Sequence, residues 1–285
     1  MTPIKIGSEA HKELLCRFFI ETHDPYKPAE LAWPDLDEAA RRRLAALPIW
    51  NEAVSTEAET ALKVVTLGKA EKDPLMAEAI SLQGYEEERH AEILRLLTKN
   101  YGIPIDARVP TEPEDPEWHF LRVGYGECFD SFFAFGLFAL ANESGFFPPS
   151  LVTLFEPIMQ EEARHILFHV NWIEFKRARR PLHLRPAWLF QRGLAVALQV
   201  ACRIRTAIQV GTATAADGDQ DNFAMTAASS FGDVTAKEFI ELCIRENDRR
   251  LAPYDPRLLR PLMVPRVART VLSLLPKGQP QPAAA

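Results

Sequence analysis

Tyr85-Glu86-Glu87-Glu88-Arg89-His90-Ala91-Glu92 recurs 75 residues later as Gln160-Glu161-Glu162-Ala163-Arg164-His165-Ile166-Leu167. Each copy contains Glu-Glu-x-Arg-His and, within it, Glu-x-x-His. On an α-helix, positions i and i+3 lie about 60° apart around the axis, so Glu87 and His90 share one face, as do Glu162 and His165. Each pair presents a carboxylate oxygen and an imidazole nitrogen to one point in space.

The residues around each copy place these faces against a core. Met76, Ile80, Gly84, Glu87, His90, Ala91, Leu94 and Leu97 fall in one stripe, while Glu86, Glu88, Arg89, Glu92 and Arg95 fall outside it. Around the second copy Leu151, Phe155, Ile158, Glu162, His165 and Trp172 line up. In both, the Glu and His occupy the apolar stripe. A carboxylate there must be neutralised, paired or bound to metal, because burying it alone costs several kcal/mol.

Glu-x-x-His on each of two helices, with one further Glu from each of two others, is the ligand set of di-iron and di-manganese four-helix bundles. The chain therefore resembles the ferritin-like di-iron carboxylate superfamily, which includes rubrerythrins, ribonucleotide reductase small subunits, bacterial multicomponent monooxygenases and aldehyde-deformylating oxygenases. The resemblance implies an all-α fold: a ferritin-like four-helix bundle of two antiparallel hairpins, here with additional N- and C-terminal helices. It also has departures. There is no rubredoxin-like Cys₄ segment, and Gln83 and Ile158 stand where an N-oxygenase-type site carries a histidine four residues before each Glu. The C-terminal helices have no counterpart in the superfamily pattern.

At 285 residues and 47% hydrophobic content the chain can fill a sizeable core. Cys16, Cys128, Cys202 and Cys243 form no C-x-x-C pair, which suggests reduced thiols, and the N-terminus lacks the apolar stretch of a signal peptide; both point to a cytoplasmic protein. Residues 1–170 carry 29 acidic and 16 basic residues, net -13, whereas 171–285 carry 10 and 17, net +7. The basic part suits a solvated surface or an acidic partner such as an acyl-carrier protein, RNA or an anionic membrane.

Four regions follow. Residues 1–47 read as a helical preamble, with short helices at 11–20 and 35–47, Asp35 as N-cap of the latter, and His23 and Asp24 given little functional weight. Residues 48–180 read as the di-iron bundle, 181–275 as a C-terminal helical extension packed on it, and 276–285 as a disordered tail. The first bundle helix, 48–68, places Val54, Glu57, Ala58, Ala61, Val64 and Val65 in its apolar stripe, so Glu57 is the candidate carboxylate and Glu59 the fallback. The spacing of 30 residues from Glu57 to Glu87 also resembles the superfamily's interval across one hairpin.

Asp73 caps the second helix, Pro74 suits its first turn, and Gly102 stops it. The proline-rich stretch 103–117 is a crossover. The third helix, 117–141, is apolar and aromatic, yet Glu127 and Asp130 interrupt it too much for a membrane span. Either acid could supply the fourth carboxylate: Glu127 is preferred, lying among small neighbours with 35 residues to Glu162 that fit a longer hairpin turn, and Asp130 is the rival, its spacing of 32 being closer to that of the first hairpin. The fourth helix spans 149–179, where His169 is a candidate additional ligand or a group orienting one. Beyond it come an apolar helix at 187–211, a loop at 211–233, an amphipathic helix at 235–251 and a basic, apolar segment at 257–275.

The resemblance assigns Glu57, Glu87, His90, Glu127, Glu162 and His165 to two metal ions, with Glu87 and Glu162 bridging. Four carboxylates match the charge of two ferrous ions, a balance that suits an apolar bundle. What it implies is a di-iron oxygenase or oxidase: two Fe ions (or Mn/Fe) activating O₂, electrons from a reductase or ferredoxin, and a small apolar, acyl or aromatic substrate beside the aromatic third helix. The competing readings are a non-cage iron-binding or O₂-detoxifying protein, and a bundle holding Zn without turnover. A homodimer is also in keeping with the added helices.

Overall fold

A computed structural model describes residues 3–212 and 234–274. Every regular element among them is helical. In chain order these are α1 (Glu9–Glu21), α2 (Glu38–Ala45), α3 (Trp50–Ala70), α4 (Pro74–Asn100), α5 (Pro116–Glu143), α6 (Pro149–Val152), α7 (Glu156–Arg179), α8 (Arg185–Thr212), α9 (Ala236–Leu251) and α10 (Met263–Leu274).

Local chemistry sets most of the ends. The Asp73 carboxylate accepts from the N–H groups of Leu75 and Met76 at 3.1 and 3.2 Å, with Pro74 in the first turn of α4. Gly102, at φ +69°, terminates that helix in the left-handed conformation. Asp115 caps α5 through the Trp118 N–H, and Thr235 with Glu238 forms a reciprocal capping box on α9.

Three expectations shift. Asp37, not Asp35, caps α2, accepting from Ala40 N–H at 2.6 Å. The fourth helix is not continuous from 149: α6 passes through a 3-10 turn at Thr153–Phe155 before α7, because Pro157 has no N–H to return to Thr153. The last helix begins at Met263 rather than 257, after a stretch punctuated by Pro256 and Pro261. Gly211 and Thr212 close α8. The rest of the expected loop and the 276–285 tail lie outside the described residues.

α3 and α4 run antiparallel in close contact. A Cβ on Gly68 would meet Ser81 Oγ at 2.7 Å, and one on Gly84 would meet Val65 Cγ2 at 2.6 Å and Val65 N at 3.1 Å. α5 and α7 run antiparallel as well, with Gly124 against the ring of His169 and Ser131 against Glu162. α3 also packs on α5, and α4 on α7, so the four helices enclose the repeated motif. α1 lies across α4 and α7, while α8 and α9 cover the outer side of α5. The largest apolar cluster joins Phe19, Met76, Phe120, Phe135, Phe168 and Trp172 around this arrangement.

By length and composition, α5 is the one helix among the described residues long and apolar enough to cross a membrane. Its most apolar window is half buried by the surrounding helices.

Gly84→Ala is expected to lose about 1–2 kcal/mol of stability, because the Val65 backbone cannot yield and overpacking outweighs the helix-propensity gain. Gly193→Ala, where no atom lies within 4 Å of the added carbon, should gain about 0.5–1 kcal/mol. Denaturant midpoints of the two variants check both signs.

Candidate metal centre

α4 and α7 each present a buried Glu and His one turn apart, and the antiparallel bundle turns the two pairs toward each other. Ligand-type atoms of Glu87, His90, Glu162 and His165 all lie within 4.8 Å of one another. His90 Nδ1 is 3.2 Å from Glu162 Oε1 and 3.9 Å from Glu87 Oε2. His165 Nδ1 is 3.0 Å from Glu87 Oε1 and 3.8 Å from Glu162 Oε1. Each histidine thus faces the carboxylate of the opposite helix as well as its own.

The other edge of each imidazole is held just as firmly. His90 Nε2 meets Glu161 Oε2 at 2.8 Å, and His165 Nε2 meets Glu86 Oε2 at 2.9 Å. Both carboxylates are crossed: Glu86 stands on α4 and serves the α7 histidine, and Glu161 does the reverse. Arg164 donates to Glu86 at 2.7 Å, and Arg89 donates to Glu161. The first Glu and the Arg of Glu-Glu-x-Arg-His are therefore buried members of the site, which for Glu86 and Arg89 corrects their reading as residues off the buried face. The exact repetition of the whole pentad was the available signal.

What buries them is the N-terminal segment. Arg164 donates to Phe19 O and to Thr22 Oγ1 (2.9 Å), and Arg89 donates to Asp24 O and Tyr26 O, both at 2.9 Å. Tyr26 Oη donates to Glu161 at 3.2 Å, and His23 Nδ1 lies 2.5 Å from Glu86 Oε1. His23, given little weight from sequence, thus closes the carboxylate layer. Glu86, Glu161 and His23 form a second cluster with metal-type donors, but arginines already compensate both of its acids.

The remaining predicted residues divide. Glu57, from α3, brings Oε2 to 3.6 Å from His90 Nδ1. Glu127, from α5, lies on the other flank with Oε2 3.1 Å from His169 Nε2. Asp130 turns away to Arg203 of α8, and Glu59 pairs with Lys63 (3.4 Å) and Arg108 (3.1 Å) at the surface. His169 Nε2 is also 3.1 Å from Gln83 Nε2, and Gln83 donates to Glu87 Oε1 at 3.3 Å. His169 stands one turn above the cluster, beside Glu127.

Electrostatics follow from burial. Burial pushes the Glu57 carboxyl up to about 7, and pushes Glu87 up and Glu127 well up. Burial also acts on Glu162, but His90, His165 and the Ser131 hydroxyl bring it below the usual range. Burial disfavours the His90 and His165 cations, yet the surrounding carboxylates outweigh it and hold both well above the ordinary histidine value. His169, buried and next to the His165 charge, drops to about 3.

The donor set fits a metal ion. With Nε2–H given to Glu161 or Glu86, the Nδ1 of a neutral imidazole is a lone-pair acceptor. Both Nδ1 atoms are buried without a hydrogen-bond partner and face carboxylate oxygens, and the Glu127 oxygens are buried without a hydrogen bond, Oε2 lying 3.1 Å from His169 Nε2. Acceptors converging on acceptors call for a cation between them. Burial pushes the thiols of Cys16 and Cys243 up to about 12 and that of Cys128 further up, so these three are poor thiolate donors.

Two cavities adjoin the centre. An apolar one of about 180 Å³, walled by Trp50, Leu94, Phe138, Phe147 and Ile158 among others, reaches Glu57 and His90. A polar one of about 240 Å³ between α3, α5 and α8 reaches Glu127.

Glu87→Ala or Glu162→Ala is expected to abolish binding of two metals, and Glu59→Ala to leave it nearly intact; loss of metal in the Glu59 variant with retention in Glu57→Ala overturns the α3 assignment. Metal analysis after gel filtration reads this out. Because Glu57 and Glu127 are pushed toward the protonated form and the histidines toward the cation, metal must displace protons. Affinity should therefore rise with pH across pH 6–8, by about tenfold per unit for each proton released, as measured by competition with a chelator.

Comparisons of the chain with known protein families, with curated proteins and with solved structures find no match, so what the site does has to be read from its own side chains.

Proposed function

We propose that this chain is an O₂-activating di-iron oxidoreductase of the ferritin-like carboxylate type, a monooxygenase or oxidase acting on a small apolar substrate. The observation that carries it is the pair of unpartnered, carboxylate-facing Nδ1 atoms, with His90 and Glu57 also lining an apolar cavity. Glu57, Glu87, His90, Glu127, Glu162 and His165 would hold the metals, and their four carboxylates match the charge of two ferrous ions. Bound there, such a pair supplies the electrons that reduce dioxygen, and a reductase or ferredoxin restores them.

The chain's own residues have distinct tasks. Glu161 and Glu86 fix the tautomer and ring plane of His90 and His165, with Arg89 and Arg164 neutralising them. Ser131 donates to Glu162 Oε2 at 2.9 Å and Gln83 to Glu87, which orients both central carboxylates. Trp50, Leu94, Phe138 and Phe147 exclude water from the approach and offer a surface for a hydrocarbon or ring. Glu57 lies where that cavity meets the site, so a molecule bound there would sit beside the metals that Glu57 would hold.

The apolar cavity favours an organic substrate over iron storage, since a hydrated cation gains nothing from Leu and Phe walls. A cavity of about 150 Å³ lined by such side chains accommodates a molecule the size of benzene, and this one is slightly larger at about 180 Å³.

Anaerobic loading with Fe(II) followed by mixing with oxygen is the test. Two irons per chain and rapid O₂ consumption, both lost in Glu87→Ala, are expected. One tightly bound zinc with no oxygen uptake after iron loading would overturn the reading.

A further inference from the structure

The polar cavity on the Glu127 side is a separate feature from the apolar one. Its walls come from α3 (Glu52, Glu59, Lys63), the crossover (Arg108), α5 (Arg122, Glu127, Asp130) and α8 (Gln199, Arg203). Its charges are nearly all matched in place. Arg108 holds Glu52 at 2.7 Å and Glu59 at 3.1 Å, Lys63 reaches Glu59 at 3.4 Å, and Arg203 pairs with Asp130. Glu127 is turned to the metal centre and His169.

Arg122 is left over. Among the described residues its guanidinium makes no ion pair, and its Nε is buried without a hydrogen-bond partner. The turn that carries it is nonetheless fixed: Gln199 donates to Arg122 O at 2.8 Å, and Gly126 admits α8 closely, since a Cβ there would meet Gln199 Nε2 at 3.2 Å. The result is an arginine on a rigid helix, in the wall of a cavity of about 240 Å³, with no acid paired to its guanidinium among the described residues.

We propose that this cavity is a binding site for a small organic carboxylate, held by Arg122 beside Glu127 and distinct from the apolar cavity. A guanidinium matches a carboxylate by two parallel N–H donations. One unpaired guanidinium suits a monoanion, because a phosphate dianion would add a second negative charge in a wall that already holds Glu52, Glu59, Glu127 and Asp130. The volume accepts a short chain beyond the carboxylate.

Titration calorimetry of the purified full chain, as isolated and after chelation, with butyrate, butyramide and inorganic phosphate tests this. Butyrate should bind in both states, with butyramide and phosphate at least about tenfold weaker. Arg122→Gln should weaken butyrate by about tenfold or more, and Arg122→Lys by less, at unchanged helicity and thermal midpoint. Should the glutamine variant not fold, the lysine variant and the butyramide comparison decide. No butyrate binding, equal binding by Arg122→Gln, or tighter binding of phosphate overturns the proposal. Binding that persists after chelation separates this result from the fate of the di-iron reading.

Discussion

Two crossed ion-pair units hold the centre of this protein together: Glu86 with Arg164 and His165, and Glu161 with Arg89 and His90. Each unit takes its carboxylate from one helix and its arginine and histidine from the other. Removing one partner of such a buried pair costs about 3–5 kcal/mol, because the remaining charge stays buried and uncompensated. The units therefore fix the rotation and register of α4 against α7 more sharply than apolar contacts do. α1 and the segment after it complete both units, supplying backbone carbonyls and a hydroxyl to arginine N–H groups and placing His23 against Glu86.

That outer layer determines what the inner one can do. With both Nε2 atoms engaged, only the Nδ1 edges are left to meet Glu87 and Glu162, and these converge. Desolvation then raises Glu57, Glu87 and Glu127 toward the neutral acid, a state that a divalent cation would reverse. The same burial leaves the flanks of the site chemically different. The Glu57 and His90 side opens to Leu, Phe and Trp surfaces, and the Glu127 side to arginines and acids. The centre is thus flanked by one apolar and one polar cavity.

Helical periodicity is a local property, and what depended on it alone was legible. The Glu-x-x-His pairs, the stripes containing them, Glu57 on the inner side of α3, the Asp73 cap and the Gly102 stop all follow from residues within a turn or two of each other. The burial of Glu86, Arg89, Glu161 and Arg164 did not, because a stripe drawn from one helix shows only the face that helix offers to its immediate neighbours. α1, distant in sequence, covers the second face.

Between Glu127 and Asp130 the sequence offered divided grounds, small neighbours and hairpin length favouring Glu127 and spacing favouring Asp130. α5 is apolar nearly all the way round and is packed on several sides, by α3, α7, α8 and α9, so its residues encode no preferred inward direction. Arg203 of α8 claims Asp130, and the close approach at Gly124 and Ser131 to α7 turns Glu127 toward His169 and the centre. The sequence alone determined an all-helical chain with twin Glu and His faces. Only the packing of distant helices decided which acids those faces meet, which charges stay matched and where the centre opens, since these are contacts between segments that local periodicity does not link.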